Sequence, residues 1–509
     1  MEKERCDVLI VGTGIAGLSF ALYLNDLRPD LSIILLSKGK LPETNTRLAQ
    51  GGIAAVIDHT RDSFEQHKKD TLQAGGGYCD EAVVNMVVNE APCLIDDLIH
   101  WGVKFDYEGS QFHLNREGGH SAFRILHHKD FTGREIHRRL LDQVKKRKNL
   151  IIKTNAFAVD LVIENNQVFG MDYCYSESRE YSRILAKSVM LATGGTGQVF
   201  PFTTNDPCAT GDGLAMASRA GAIIQGLQFY QFHPTALYSE GSNRSFLISE
   251  AVRGFGAQVL NKFNDRFLFK YDPRGELATR DIVSSAIYQE MIETVSPFVS
   301  LSVKHLDLNK FKAQFPTIWE TCHKNGIDPG KEGIPVVPAA HYQCGGIQVD
   351  MDGQSTIERL YAGGECAHTG LHGSNRLASN SLLEALVFSR RSAHSVAKHI
   401  DGWDQKEIFG SPSIDFNSNT HKILKISAKK RALQLLMEHA WHHRNEPEQL
   451  EKALSKVWSW RKELAQHPFK INRTTGEFLN LIETSTLMLR ALLEHCKMIK
   501  SASSILISN

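Results

Sequence analysis

Three short apolar runs, each ending in glycines, constrain this chain more than any other feature in it. Cys6-Asp7-Val8-Leu9-Ile10-Val11 leads into Gly12-Thr13-Gly14-Ile15-Ala16-Gly17, Ser188 to Ala192 into Thr193-Gly194-Gly195, and Arg359 to Ala362 into Gly363-Gly364-Glu365. Apolar runs of this kind suit buried parallel strands. After the first, an apolar-periodic stretch through Leu24 reads as a helix, and Ile33 to Leu36 as a second strand. In that setting Gly12 permits a tight turn, Gly14 lets backbone approach a pyrophosphate, and Gly17 lets the helix sit close to the strand. The expected fold is α/β, with a Rossmann-like sheet carrying a dinucleotide at its carboxyl edge and other material inserted between the widely separated strands. The second strand ends in Ser37-Lys38, where an acidic residue usually takes the ribose, which favours a flavin dinucleotide over NAD.

Composition narrows the function classes. Across 509 residues, 58 Lys and Arg face 57 Asp and Glu, so the basic excess of a nucleic-acid protein is missing. The nine cysteines are scattered and never spaced C-x-x-C, which argues against a disulfide framework, a zinc ribbon and an iron–sulfur cluster. A reduced, cytoplasmic setting follows. The apolar stretch Val8 to Leu24 is interrupted by three glycines and preceded by mixed charges, unlike a secretory leader, and no run suits a spanning helix.

From Ser427 to Trp441, Leu450 to Leu464 and Phe478 to Leu493, apolar residues recur at the helical period. Asn445, Pro447 and Glu448 read as a helix start and Pro468 as a stop. A helical bundle is expected there, after a polar linker near 410–420. The pairs His127-His128 and His442-His443 are expected at the surface. Glu250 and Arg253, at i and i+3, read by themselves as an ordinary helix salt bridge. No histidine spacing suggests a catalytic metal.

Six further segments carry a resemblance. They are Ala49-Gln50-Gly51-Gly52-Ile53-Ala54-Ala55, Arg116-Glu117-Gly118-Gly119-His120-Ser121, Gln231-Phe232-His233-Pro234-Thr235-Ala236-Leu237, Arg280-Asp281-Ile282-Val283, Pro338-Ala339-Ala340-His341-Tyr342 and Asn375-Arg376-Leu377-Ala378-Ser379-Asn380-Ser381-Leu382. In this order the chain, from residue 6 to about 395, resembles the succinate dehydrogenase/fumarate reductase flavoprotein family, and within it the branch that oxidises L-aspartate. The resemblance implies a discontinuous FAD-binding domain over 1–226 plus 342–405, an α+β capping domain over 227–341 and a C-terminal helical domain over 417–509.

It also implies residue roles. FAD contacts carried over are Thr13, Ile15 and Ala16 beside the fingerprint glycines, Lys38, then Asn45, Thr46, Arg47, Leu48, Ala49, Gln50, Gly51 and Gly52. Asn155, Ala156, Asp212, Glu365, Ser381 and Leu382 complete them. Where the dehydrogenase branch tethers FAD to a histidine this chain has Asn45, so FAD is expected to be non-covalent. His233, His341, Arg376 and Ser249 match the dicarboxylate clamps. Arg280 matches the arginine that exchanges a proton with the substrate carbon, and Glu250 and Arg253 its relay. Glu117 suits a substrate ammonium. The implied activity is FAD-dependent oxidation of L-aspartate to iminoaspartate, with electrons passed to oxygen, giving hydrogen peroxide, or to fumarate, giving succinate. The imine would feed quinolinate synthase in de novo NAD synthesis. The rival readings are a soluble fumarate reductase or succinate dehydrogenase flavoprotein, and a flavin-bearing electron-transfer subunit. Two departures stand out: Phe255 replaces a glutamate, and Glu494 to Ser501 lacks the family's usual tail segment.

Overall fold

A computed structural model describes residues 2–175, 181–239, 241, 244–406, 408, 426–466 and 472–507. Its main sheet has seven strands. Leu150–Lys153, Ile33–Leu36, Glu2–Val11 and Tyr181–Leu191 run parallel side by side, and Leu360–Ala362 pairs in parallel with the carboxyl end of Tyr181–Leu191. The three glycine-terminated runs are therefore neighbours, and their glycines share one sheet edge. Val8, Leu9 and Ile10 are fully buried, as strands covered on both faces require.

Gly12 has a φ of 113°, and a Cβ there would lie 2.1 Å from the Ala192 carbonyl oxygen. A Cβ at Gly17 would lie 2.1 Å from the Gly12 oxygen, so both positions exclude any side chain. Between them starts the helix Ile15–Leu27.

Tyr181–Leu191 begins seven residues before the expected Ser188 because its first half pairs antiparallel with Gln167–Tyr175, which in turn pairs with Ala156–Glu164. That hairpin turns on Asn165 and Asn166, both left-handed at φ of 49° and 60°.

A second, four-stranded antiparallel sheet orders Tyr230–Leu237, Ile334–Gln343, Val299–Ser302 and Gln258–Leu260. It has its own apolar core, including Ile248, Val259, Phe267, Phe311 and Ile334. Helix Arg280–Glu293 lies against its first strand, where Ser284 Oγ donates to the Phe232 carbonyl at 3.1 Å.

The tail forms helices Ile426–His442, Pro447–Gln466 and Arg473–Ile507. Pro447 begins the second; Pro468 and the linker near 410–420 lie outside the described residues. Leu433, Met437, Trp441, Leu481 and Leu489 share one core cluster with Leu9, Leu191 and Phe200 of the main body. The bundle is thus docked on the sheet domain. Two histidine expectations are overturned. His127 is buried and lies 2.8 Å from His113, because Asp106 draws this turn inward, and His442 stacks on Tyr288.

Candidate active site

A cavity of about 660 Å³ runs from the glycine edge of the main sheet to the four-stranded sheet. Its sheet-edge half is built from backbone. Helix Ile15–Leu27 begins at Gly14 with no side-chain cap, and a Cβ at Gly14 would meet only Thr46 Oγ1, at 3.2 Å. Helix Asn380–His399 also lacks a side-chain cap, and Ser381 and Leu382 in its first turn line the cavity. Two helix N-termini without caps of their own therefore open onto one groove; the Ile15 amide donates to Thr46 Oγ1 at 2.9 Å, and the remaining first-turn amides suit anionic groups at two places. Glycines at the close approaches and these free donors fit a dinucleotide such as FAD.

Of the expected cofactor contacts, Gly12, Thr13, Gly14, Ile15, Ala16, Lys38, Asn45, Thr46, Leu48, Ala49, Gln50, Gly51, Gly52, Ala156, Asp212, Glu365, Ser381 and Leu382 line the cavity. Gly17, Arg47 and Asn155 do not. Gly17 packs helix on strand, while Arg47 and Asn155 are exposed. Lys38 is already engaged. Its ammonium donates to Thr210 Oγ1 and Asp212 Oδ2, each at 2.6 Å, and pairs with Glu477 of the last tail helix at 3.0 Å. Asp212 accepts in addition from Asn480 at 2.9 Å, and the Lys38 carbonyl accepts from Arg473 at 3.0 Å. Glu365 lies behind Asn45, whose Nδ2 donates to it at 3.5 Å, and burial pushes its carboxyl up to about 7.

The other half is built from charge. All of Arg280, Glu117, Glu250, Arg253, His233, His341, Arg376 and Ser249 line it. Ser249 caps helix Glu250–Gly254. That helix presents Glu250 between two arginines: Oε2 accepts from Arg280 Nε at 2.7 Å, and Oε1 pairs with Arg253 at 3.3 Å. Burial raises the Glu250 carboxyl, but Arg280 and Arg253 outweigh it and hold the group below its usual range. A Cβ at Gly118 would lie 2.1 Å from Glu250 Oε1, so any larger residue there would displace the Glu250 carboxylate from its place between the arginines.

Arg376 donates to Gln231 Oε1 at 3.0 Å and to Ser381 Oγ at 3.2 Å, and Arg280 reaches the same Gln231 oxygen at 3.2 Å. Burial, reinforced by Arg280, lowers the Arg376 pKa. His233 Nδ1 accepts from the Thr235 amide at 3.3 Å, which places the proton of the neutral ring on Nε2. His341 Nδ1 lies 2.8 Å from Thr204 Oγ1. Burial and then the arginines push both imidazoles well below their usual pKa, so both are neutral. Glu117 accepts from Ser379 Oγ at 2.5 Å.

Sequence reasoning missed the residues that tie these groups together. Gln231 joins two arginines yet lay inside a segment read for its histidine. Ser379 positions Glu117 with a left-handed φ of 60°. Behind the loop, His120 bonds the Ala378 carbonyl at 2.8 Å and Arg124 at 3.0 Å. Among the described residues no group of three His, Cys, Asp or Glu side chains could hold a metal ion, and no helix is long and apolar enough to cross a membrane.

Three comparisons bear on this geometry. The FAD binding domain family matches residues 7–382. An L-aspartate oxidase of Yersinia pestis is 40% identical over 97% of this chain and 94% of that protein. A chloroplastic L-aspartate oxidase of Oryza sativa subsp. japonica is 43% identical over 77% of this chain and 62% of its own length. Among solved structures, E. coli quinol fumarate reductase superposes with a TM-score of 0.83 at 28% identity, over 97% of this chain and 89% of that one.

Proposed function

From the premise that this chain belongs to the FAD binding domain family and catalyses FAD-dependent oxidation of L-aspartate, we propose how its residues divide the work. When bound, FAD supplies the two-electron acceptor for the hydrogen leaving Cα. Gly12 to Ala16 would hold its pyrophosphate, Asn45 to Gly52, Ala156 and Glu365 its length, and Ser381 with Leu382 its pyrimidine end. Asn45 cannot form the tether a histidine makes, so FAD is held without a covalent bond. Acid or heat should therefore release free FAD, and flavin left on the denatured chain would refute this.

Arg376, Ser249 and the two neutral histidines bind the substrate carboxylates, His233 donating from Nε2. Three buried or half-buried arginines face the carboxylates of Glu250 and Glu117, and the excess positive charge is what a dicarboxylate offsets. This shortage of anions is the observation that carries the reading. Glu117 receives the α-ammonium, which a plain dicarboxylate lacks. In the fumarate direction Arg280 gives a proton to the substrate carbon and regains it from Arg253 through Glu250. The chain divides as 1–226 plus 342–405, 227–341 and 417–509, the middle unit supported by its separate apolar core.

Oxygen and fumarate serve as electron acceptors, and iminoaspartate passes to quinolinate synthase for NAD synthesis. Nine free cysteines support a reducing, cytoplasmic setting. The deciding assay is purified protein with aspartate, with oxygen present and then with fumarate under anaerobic conditions. Aspartate-dependent peroxide and succinate are expected. Fumarate reduction without any aspartate oxidation would overturn the assignment in favour of a fumarate reductase.

A further inference from the structure

The loop that carries Glu117 meets the turn before helix Asn380–His399 at two points, and only one of them touches the carboxylate. At the first, Ser379 Oγ donates to Glu117 Oε2 at 2.5 Å. The other oxygen, Oε1, lies over the cofactor segment, where a Cβ at Gly51 would come within 2.6 Å of it. At the second, His120 Nε2 lies 2.8 Å from the Ala378 carbonyl oxygen. Arg124 Nη1 lies 3.0 Å from the other ring nitrogen, Nδ1, and a guanidinium can only donate. Nδ1 therefore accepts, the ring proton is on Nε2, and His120 donates to Ala378. Burial lowers the pKa of the imidazole, which favours this neutral form. Arg124 is fixed in turn by Asp62 and Asp70.

The two contacts bracket the backbone of Ser379. Its φ of 60° is left-handed, a conformation that a residue with a Cβ keeps only where its surroundings impose it. The Ala378 carbonyl belongs to the peptide group on which that φ turns, so a bond from His120 acts on the angle directly. On the other side the Ser379 carbonyl accepts from the Ala54 amide at 3.2 Å, and Asn380 donates to Thr71 Oγ1 at 3.1 Å and accepts from His67 Nε2 at 3.0 Å. We propose that His120 is a positioning residue for amine recognition. By holding Ala378 it sets the place of Ser379 Oγ, and through it the Glu117 carboxylate, so that the site favours a dicarboxylate carrying an ammonium over a plain one. This role presupposes that Glu117 receives the ammonium. Arg376 and Arg280 are oriented by Gln231, Ser381 and Glu250 instead, so fumarate reduction needs none of these links.

The test compares two reactions of the FAD-loaded enzyme, aspartate oxidation under oxygen and fumarate reduction driven by reduced methyl viologen. His120→Phe keeps a ring and removes both hydrogen bonds. His120→Asn keeps an acceptor for Arg124 but is too short to reach Ala378, so it serves if the first variant folds poorly. Each should lower kcat/KM for aspartate by about tenfold or more and that for fumarate by less than about threefold, with FAD content unchanged. His120→Gln, long enough to donate to Ala378, should bring aspartate oxidation back to within about threefold of the unsubstituted enzyme. In a Glu117→Gln background the Phe and Asn changes should cost less than about twofold more, since the carboxylate they position has lost its charge. Matched losses in the two reactions, no loss for aspartate, no recovery with Gln, or an undiminished further loss in the Glu117→Gln background would each overturn the role. Glu117→Gln alone tells the two failures apart. If it does not selectively impair aspartate oxidation, the ammonium assignment falls and the role of His120 with it; if it does and the His120 variants do not, only the role of His120 falls.

Discussion

Two buried arginine clusters sit on either side of the Glu117 loop, and they are finished to different degrees. Arg124 is fully buried. It donates to both Asp62 oxygens at 2.7 and 2.8 Å and to Asp70 at 2.5 Å, with His120 at 3.0 Å. Burial lowers its pKa, but Asp62 and Asp70 more than reverse this, and the net shift is upward. Arg376 and Arg253 are nearly as buried, yet the Nε of each has no partner, and both pKa values move down. A completed cluster serves the fold. An incomplete one keeps its remaining donors for a ligand.

The largest effect should come from the incomplete cluster. Arg280→Leu removes the group at its centre and should cut fumarate reduction at least a thousandfold, about 4 kcal/mol in barrier, while absorbance shows FAD still bound. Substantial residual turnover would show that another group moves the proton. Stability should split the other way. Arg124→Leu strands two buried carboxylates and should lower unfolding free energy by about 3–5 kcal/mol in denaturant titration. Arg376→Leu, measured without ligand, should leave Tm unchanged or raise it, because it removes a buried charge that lacks full compensation. Equal destabilisation by both substitutions would erase the distinction between the clusters.

Glu117→Gln lies at the boundary. Losing a charge-assisted bond worth about 1.5–3 kcal/mol should reduce aspartate oxidation roughly ten- to a hundredfold, with far less change in fumarate reduction. Matched losses would assign Glu117 to the loop alone, through its bond to Ser379. The smallest effect concerns pH. His233 and His341 are held neutral well below the usual imidazole range, so neither gains a proton as pH falls through about 6.5. Between about pH 6 and 8 the group that titrates in the cavity is Glu365, pushed up to about 7, so any change of succinate affinity in that window should vanish in Glu365→Gln, and a pH dependence that persists there would show that one of the histidines charges.

The legible parts of the molecule were those written in local chemistry. The glycine fingerprint could be read because its constraint is steric and lies within six residues. The Asn165-Asn166 turn carried an equally local signal that the reading passed over, and with it went the antiparallel hairpin. The seven-stranded order was not accessible in this way, since Leu360–Ala362 reaches Tyr181–Leu191 only through the folded core. The site was legible through motif resemblance, which named the charged groups but not their couplings. Gln231 bridging Arg280 and Arg376, and Ser379 holding Glu117, are properties of contacts between distant segments. Lys38 shows the same limit: a missing acid was evident at the end of the second strand, but Asp212 and Glu477 supply acids from far along the chain.

That last contact has a consequence for how the protein is made. Residues up to Gln466 leave the ribosome before Arg473, Glu477 and Asn480, yet those three fix Lys38 and Asp212 at the sheet edge. During synthesis the nucleotide groove therefore exists for a time without its closing contacts, whatever the state of the sheet beneath it. A polypeptide interrupted before the last helix would carry the whole fingerprint yet lack the three contacts that hold Lys38 and Asp212 at the edge of the groove.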